Sequence, residues 1–159
     1  MNKTNRLKVT KKMDETIIQF YTILSQLNRA SNLVIGGTHA LHLHGINLDR
    51  APDDLDIIIY KPTKEQRHIL SLLRSVSEGD CLGSAGKRSL KLKKNGYCLD
   101  ILLEDYASIP KGLLEYVSDD GRVKGKVQSV QGVIDAKASY GRSKDHLDMI
   151  KWKNLNFNT

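Results

Sequence analysis

The chain has few cysteines: Cys81 and Cys98 are the only two among 159 residues. They are too few and too far apart to define a disulfide framework, so a reduced, cytoplasmic setting is the expectation. Long apolar runs are absent too. Nothing approaches the ~20 residues that span a bilayer, and the basic start, Met1 to Lys12, leads into no signal-peptide hydrophobic region. No membrane partner is expected. Aromatic residues make up 6% of the chain, and no aromatic-rich surface for stacking single-stranded bases stands out. No Ser/His/Asp or Cys/His set points to nucleophilic catalysis. His39, His42 and His44 have no cysteine or carboxylate at zinc-site spacing, so packing and helix-end hydrogen bonds are their expected roles. The stretch Gly83-Ser84-Ala85-Gly86-Lys87-Arg88-Ser89 fails as a P-loop. Its first glycine is misplaced, and Arg88 stands where Ser or Thr should follow the lysine.

Acidic residues are missing from the first twelve positions, which carry Lys3, Arg6, Lys8, Lys11 and Lys12. Two further basic clusters lie at Lys87, Arg88, Lys91, Lys93, Lys94 and at Arg122, Lys124, Lys126. With a net charge of +7, this pattern suits either a polyanionic partner or a solvated basic surface.

The length suits one domain with a real core. Residues 1–12 read as a basic arm and 13–159 as a single α/β domain. Asp14 to Arg29 has the spacing of an amphipathic helix, with Ile17, Phe20, Tyr21, Leu24 and Leu27 on one side. Leu33 to Ile35 reads as a strand, Thr38 to His44 as a helix closed by Gly45, and Asp54 to Tyr60 as a second strand. Thr63 caps a helix running to about Val76. Ser77 to Arg88 is a glycine-rich loop. Ser89 to Lys93 and Tyr97 to Leu103 flank Asn95-Gly96, the signature of a tight hairpin. A second hairpin turns at Asp119-Asp120-Gly121, with a strand over Val123 to Val130. Two helices end the chain, Ser129 to Tyr140 and Ser143 to Asn154, split at Gly141.

Two aspartates, Asp54 and Asp56, open the apolar run Leu55-Asp56-Ile57-Ile58-Ile59-Tyr60. Alternate residues of a strand share a face, so the spacing places the two carboxylates together, roughly 6–7 Å apart. Paired carboxylates repel unless a proton or cation intervenes. A hard divalent cation, Mg²⁺ or Mn²⁺, suits such oxygen donors and commonly brings phosphates with it. The turn Gly36-Gly37-Thr38, opening a helix, is a candidate cradle for those phosphates. A third carboxylate, Asp100, lies inside the apolar strand Cys98-Leu99-Asp100-Ile101-Leu102. It completes a three-carboxylate site if that strand pairs beside the first; otherwise it faces solvent.

At these residues the chain resembles the minimal nucleotidyltransferase superfamily, of DNA polymerase β-like fold. Gly36-Gly37-Thr38, then Asp54-Leu55-Asp56, then Asp100 follow that family's order of motifs. The stretch from Gly36 to Gly45 with Arg50, and the pattern Lys137…Arg142-Ser143-Lys144-Asp145…Asp148, resemble AbiEii-type toxins and related bacterial proteins. Pro52 departs from relatives, which often carry Thr or Ser there. The resemblance implies a small mixed sheet flanked by helices, with the site at one sheet edge. It implies Asp54, Asp56 and Asp100 as metal-binding and catalytic residues. Gly36, Gly37, Thr38, Arg50 and Lys137 are implied as nucleotide contacts, with Asp145 a further candidate. For Lys137 and Asp145 a helical ion pair or cap is the competing role. The implied activity is Mg²⁺-dependent transfer of a nucleoside monophosphate from an NTP to an acceptor hydroxyl. RNA such as tRNA is the implied acceptor, and a toxin–antitoxin or phage-defence setting, with a cognate antitoxin as partner, is the implied context. The alternatives are a lincosamide- or aminoglycoside-type nucleotidyltransferase, and a pseudoenzyme that binds nucleic acid or protein.

Overall fold

Leucine, isoleucine and valine supply most of the buried positions of β-strands that together build a six-stranded mixed sheet. The computed structural model describes residues 31–46, 48, 54–75, 89–94, 97–117 and 124–157. In chain order these form β1 (Leu33–Gly36), α1 (Gly37–Leu43), β2 (Asp54–Tyr60), α2 (Lys64–Ser75), β3 (Ser89–Lys94), β4 (Tyr97–Glu104), β5 (Leu114–Val117), β6 (Lys124–Val127), α3 (Val130–Tyr140) and α4 (Ser143–Phe157). The basic arm, the helix over Asp14 to Arg29, Arg50, Pro52, the 77–88 loop and the two hairpin turns lie outside the described residues.

The strand order is β3-β4-β2-β1-β6-β5. β2 runs parallel to β4 and antiparallel to β1, while β1 runs parallel to β6. The hairpins β3–β4 and β5–β6 are antiparallel and close the two edges. The expected α/β class with a mixed sheet and two final helices is what the chain adopts. One expectation is corrected. β2 and β4 are interior strands, so their aspartates stand within the sheet rather than at its edge.

One face of the sheet carries the core. Leu55, Ile57 and Ile59 of β2, Leu99 and Ile101 of β4, Leu33 and Ile35 of β1 and Val127 of β6 are buried there. Ala40, Leu41 and Leu43 of α1 and Val133 of α3 pack into the same cluster. On the other face Asp56, Tyr60, Asp100 and Glu104 are half-buried, while Val34 and Ile58 are buried. Burying one face of each strand fixes register strongly, because a slip of one residue would turn the apolar set outward. This constraint holds the aspartates in place.

Local chemistry sets the element ends. The Thr63 hydroxyl accepts from the Gln66 N–H at 3.1 Å, and the Gln66 side chain accepts from the Thr63 N–H at 2.9 Å. This reciprocal capping box starts α2. Gln66 also exchanges amide hydrogen bonds with Asn32, which ties α2 to the start of β1. Gly45, at φ +84°, closes α1 as expected, and its N–H reaches the His42 carbonyl. The strand expected over Val123 to Val130 is shorter, because the Ser129 hydroxyl caps α3 by accepting from the Gly132 N–H at 3.0 Å. Gly141, at φ +60°, ends α3 in the left-handed conformation that glycine adopts at least cost. The last helix starts at Ser143, as expected, and runs to Phe157. No helix among the described residues is long and apolar enough to cross a membrane.

Candidate functional site

The pairing registers align one row of residues across four strands. Lys91 on β3 stands opposite Asp100 on β4, Asp100 opposite Asp56 on β2, and Asp56 opposite Gly36 on β1. In-register neighbours on parallel strands share a face and sit about 4.8 Å apart, so Asp56 and Asp100 present adjacent carboxyl groups. Asp54 pairs with Cys98 one step along the same two strands. The expected pairing of the Asp100 strand beside the Asp54–Asp56 strand is therefore present. The side chain of Asp54 lies outside the described set.

The glycine turn meets this row directly. β1 ends at Gly36, and the chain bends at Gly37, whose φ is +64°. A side chain at Gly37 would place its Cβ 1.9 Å from Asp56 Oδ2. That carboxylate oxygen occupies the space a Cβ would take, so only glycine permits both the bend and the approach. The turn N–H groups and the β2 carboxylate thus share one small volume. Among the described residues no group of three His, Cys, Asp or Glu side chains is gathered so as to hold a metal. The donors that are present, carboxylates on neighbouring strands, are of the oxygen type that Mg²⁺ and Mn²⁺ prefer. In donor chemistry the residues fit such an ion.

Gln128 follows β6 and was not foreseen from the sequence. Its side-chain oxygen accepts from the Gly37 N–H at 3.2 Å, its backbone N–H donates to Ile35, and its carbonyl bonds the His44 ring at 2.8 Å. It therefore holds the turn from the β6 side. His44 fulfils its expected role as a helix-end hydrogen-bonding residue.

The two last helices supply a charged cluster beside the turn. Lys137 of α3 is buried, and its Nζ donates to Asp148 at 2.8 Å and to the Thr38 hydroxyl at 3.3 Å. Asp145 lies 3.7 Å from the same Nζ. Asp145 also accepts from Arg142 Nε at 2.7 Å, from Nη2 at 3.3 Å and from the Arg142 backbone N–H at 3.2 Å. Thus Lys137 and Asp145 do form a helical ion pair and cap, and through Thr38 that pair is joined to the glycine turn. Burial acts to raise the Asp145 carboxyl, but the Arg142 hydrogen bonds and charge, with Lys137, outweigh it and hold it low. Arg142 is raised, first by its hydrogen bond to Asp145, with the Asp145 and Asp56 charges adding to it against burial. Its guanidinium lies 5.2 Å over the Tyr140 ring. The Tyr140 hydroxyl is raised first by burial and then by the fields of Asp56, Asp100 and Glu104, opposed by Arg142. The α3–α4 junction thus sits within electrostatic reach of the carboxylate row. Tyr140 and Arg142 had no assigned role in the sequence reading. Arg142 was visible in the C-terminal pattern, whereas Tyr140 carries no signal beyond being an aromatic before a helix-ending glycine.

No protein-family model, curated protein or solved structure matches the chain.

The contact between Gly37 and Asp56 can be measured as a coupling. Gly37→Ala should destabilise by about 2 kcal/mol or more, from backbone strain plus overlap with the carboxylate. With Asp56→Ala in place, the cost should shrink toward the backbone term alone, about 1 kcal/mol. Urea denaturation of the four proteins in the cycle checks this; additive costs would separate the two residues.

The acid limb of stability tests Asp145. Its folded pKa lies below the ordinary 3.8, so its contribution is present above that value and lost as pH falls through the folded one. Asp145→Asn should lower the Tm at neutral pH and lessen the fall in Tm below about pH 4. An unchanged slope of Tm against pH in that range is the contrary result.

Proposed function

We propose that this chain is a metal-dependent nucleotidyltransferase that moves a nucleoside monophosphate from an NTP to an acceptor hydroxyl. The observation that carries this reading is the row Asp100–Asp56–Gly36, with the Gly37 turn seated against the Asp56 carboxylate. It supports, within an α/β sheet, the order of motifs that resembles the nucleotidyltransferase fold. A Mg²⁺ or Mn²⁺ ion held by Asp54, Asp56 and Asp100 would supply the charge that allows a triphosphate to approach carboxylates.

The chain's own residues then divide the work. The backbone N–H of Gly37, now bonded by Gln128, would pass to a phosphate oxygen, and the N-terminal end of α1 would favour that anion. The Thr38 hydroxyl, bonded to Lys137, would present a further polar contact to the phosphates. Asp100 would orient the acceptor hydroxyl and take its proton. Arg50 remains a phosphate contact implied by the resemblance. RNA is the acceptor favoured by the basic clusters, with a toxin–antitoxin or phage-defence role in view.

The test combines each labelled NTP with Mg²⁺, total RNA and the full chain. Label should move to RNA with release of pyrophosphate. Asp54→Asn, Asp56→Asn and Asp100→Asn should each lower transfer by at least about a hundredfold while keeping the wild-type circular dichroism spectrum. Undiminished transfer in folded Asp56→Asn would eliminate the mechanism. Label on a small-molecule acceptor and none on RNA would redirect the acceptor to the antibiotic class.

A further inference from the structure

Arg142 is built as half of a binding site. Its Nε and Nη2 are taken by Asp145, which is wholly buried, whereas its own side chain is 38% exposed. Its Nη1 has no hydrogen-bond partner among the described residues. The guanidinium carbon lies 5.2 Å over the centroid of the Tyr140 ring, and Tyr140 is itself 43% exposed. A guanidinium pinned along one edge and on one face has lost most of its rotamer freedom before any ligand arrives. Its remaining edge offers two N–H donors in the fork geometry that matches phosphate oxygens.

Position and charge indicate what that edge is for. Contacts run from Arg142 through Asp145, Lys137 and Thr38 to the Gly37 turn, which touches Asp56. Lys137, Arg142, Asp145 and Asp148 make a neutral quartet in which Lys137 is buried and Arg142 is the cation with an exposed side chain. The carboxylates on β2 and β4 offset much of any bound divalent charge, and a triphosphate adds more negative charge than such ions then balance. Accessible donors near the row would meet part of that charge, and Arg142 stands at the edge of the quartet with Nη1 to spare.

We propose that Arg142 binds the polyphosphate of the nucleotide, and that Tyr140 is the positioning residue beneath its guanidinium. The inference rests on the nucleotidyl-transfer reading, because it supplies that reaction with a contact to the departing pyrophosphate. A triphosphate oxygen accepts from Nη1 while Asp145 keeps Nε and Nη2. Lysine at 142 keeps the charge but loses the fork. Phenylalanine at 140 keeps the ring beneath the guanidinium.

The experiment is isothermal titration of the full chain with inorganic tripolyphosphate in Mg²⁺, alongside Mg²⁺ with each NTP. Arg142→Gln should weaken tripolyphosphate binding about tenfold or more, with Arg142→Lys between it and the wild type. Tyr140→Ala should weaken binding several-fold and Tyr140→Phe should restore it, a rescue that general loosening of the helices would not give. Lys144→Ala removes an exposed cation two residues away and should leave binding unchanged. Should Arg142→Gln fail to fold, because Asp145 loses its main partner, Arg142→Lys and Tyr140→Ala decide the matter, since Tyr140→Ala leaves every Asp145 bond in place. Folded Arg142→Gln or Arg142→Lys binding tripolyphosphate as tightly as the wild type overturns the proposal while nucleotidyl transfer stands. A wild-type chain that binds neither tripolyphosphate nor any NTP overturns both.

Discussion

The close approach of the Asp56 carboxylate to Gly37 is the contact on which the site depends. It requires a residue without a Cβ, a left-handed bend after β1, and β1 paired to β2 with Gly36 opposite Asp56. Each condition follows from a different part of the sequence. The bend comes from glycine, the register from the buried set Leu33, Ile35, Ile57 and Ile59, and the carboxylate from a polar residue on the half-buried face. A shift of one residue in β2 would bury Asp56 in the core and bring Leu55 or Ile57 to the turn. The apolar face therefore fixes the geometry of the polar one.

The C-terminal helices reach the same turn by ionic means. Burying Lys137 is costly unless its charge is met, and Asp145 and Asp148 meet it. The arrangement commits α3 and α4 to one another, since Lys137 belongs to one and both aspartates to the other. Thr38 joins this pair to α1, its hydroxyl accepting from Lys137 Nζ. Gln128 also braces the turn, its side-chain oxygen accepting from the Gly37 N–H. Such bracing suits a site that must present N–H groups in a fixed direction without large reorganisation.

Much of this was legible in the sequence where a local rule acts alone. Asp54 to Tyr60, an apolar run rich in isoleucine, forms the strand expected of it, and Thr63 with Gln66 caps α2. Asn95-Gly96 joins two strands whose observed register, Lys94 opposite Tyr97, leaves those two residues between them. What sequence spacing could not place was lateral order. The strands bearing Asp56 and Asp100 are interior because two hairpins add at opposite edges, a choice made by long-range pairing. Gln128 was likewise hidden, because the Gly37–Gln128 bond spans 91 residues. Ser129 was read as the first helical residue and proves to be its cap, since its hydroxyl meets Gly132 before the helix begins.

The central claim is that the carboxylates of β2 and β4 jointly hold a divalent cation beside the glycine turn. Electron paramagnetic resonance of Mn²⁺ titrated into the full chain measures this without any nucleotide or acceptor. The account predicts saturable Mn²⁺ binding that Mg²⁺ displaces, and that weakens in both Asp56→Asn and Asp100→Asn while the fold is kept. Mn²⁺ binding unaltered by either substitution, or no binding by the wild-type chain, would contradict it.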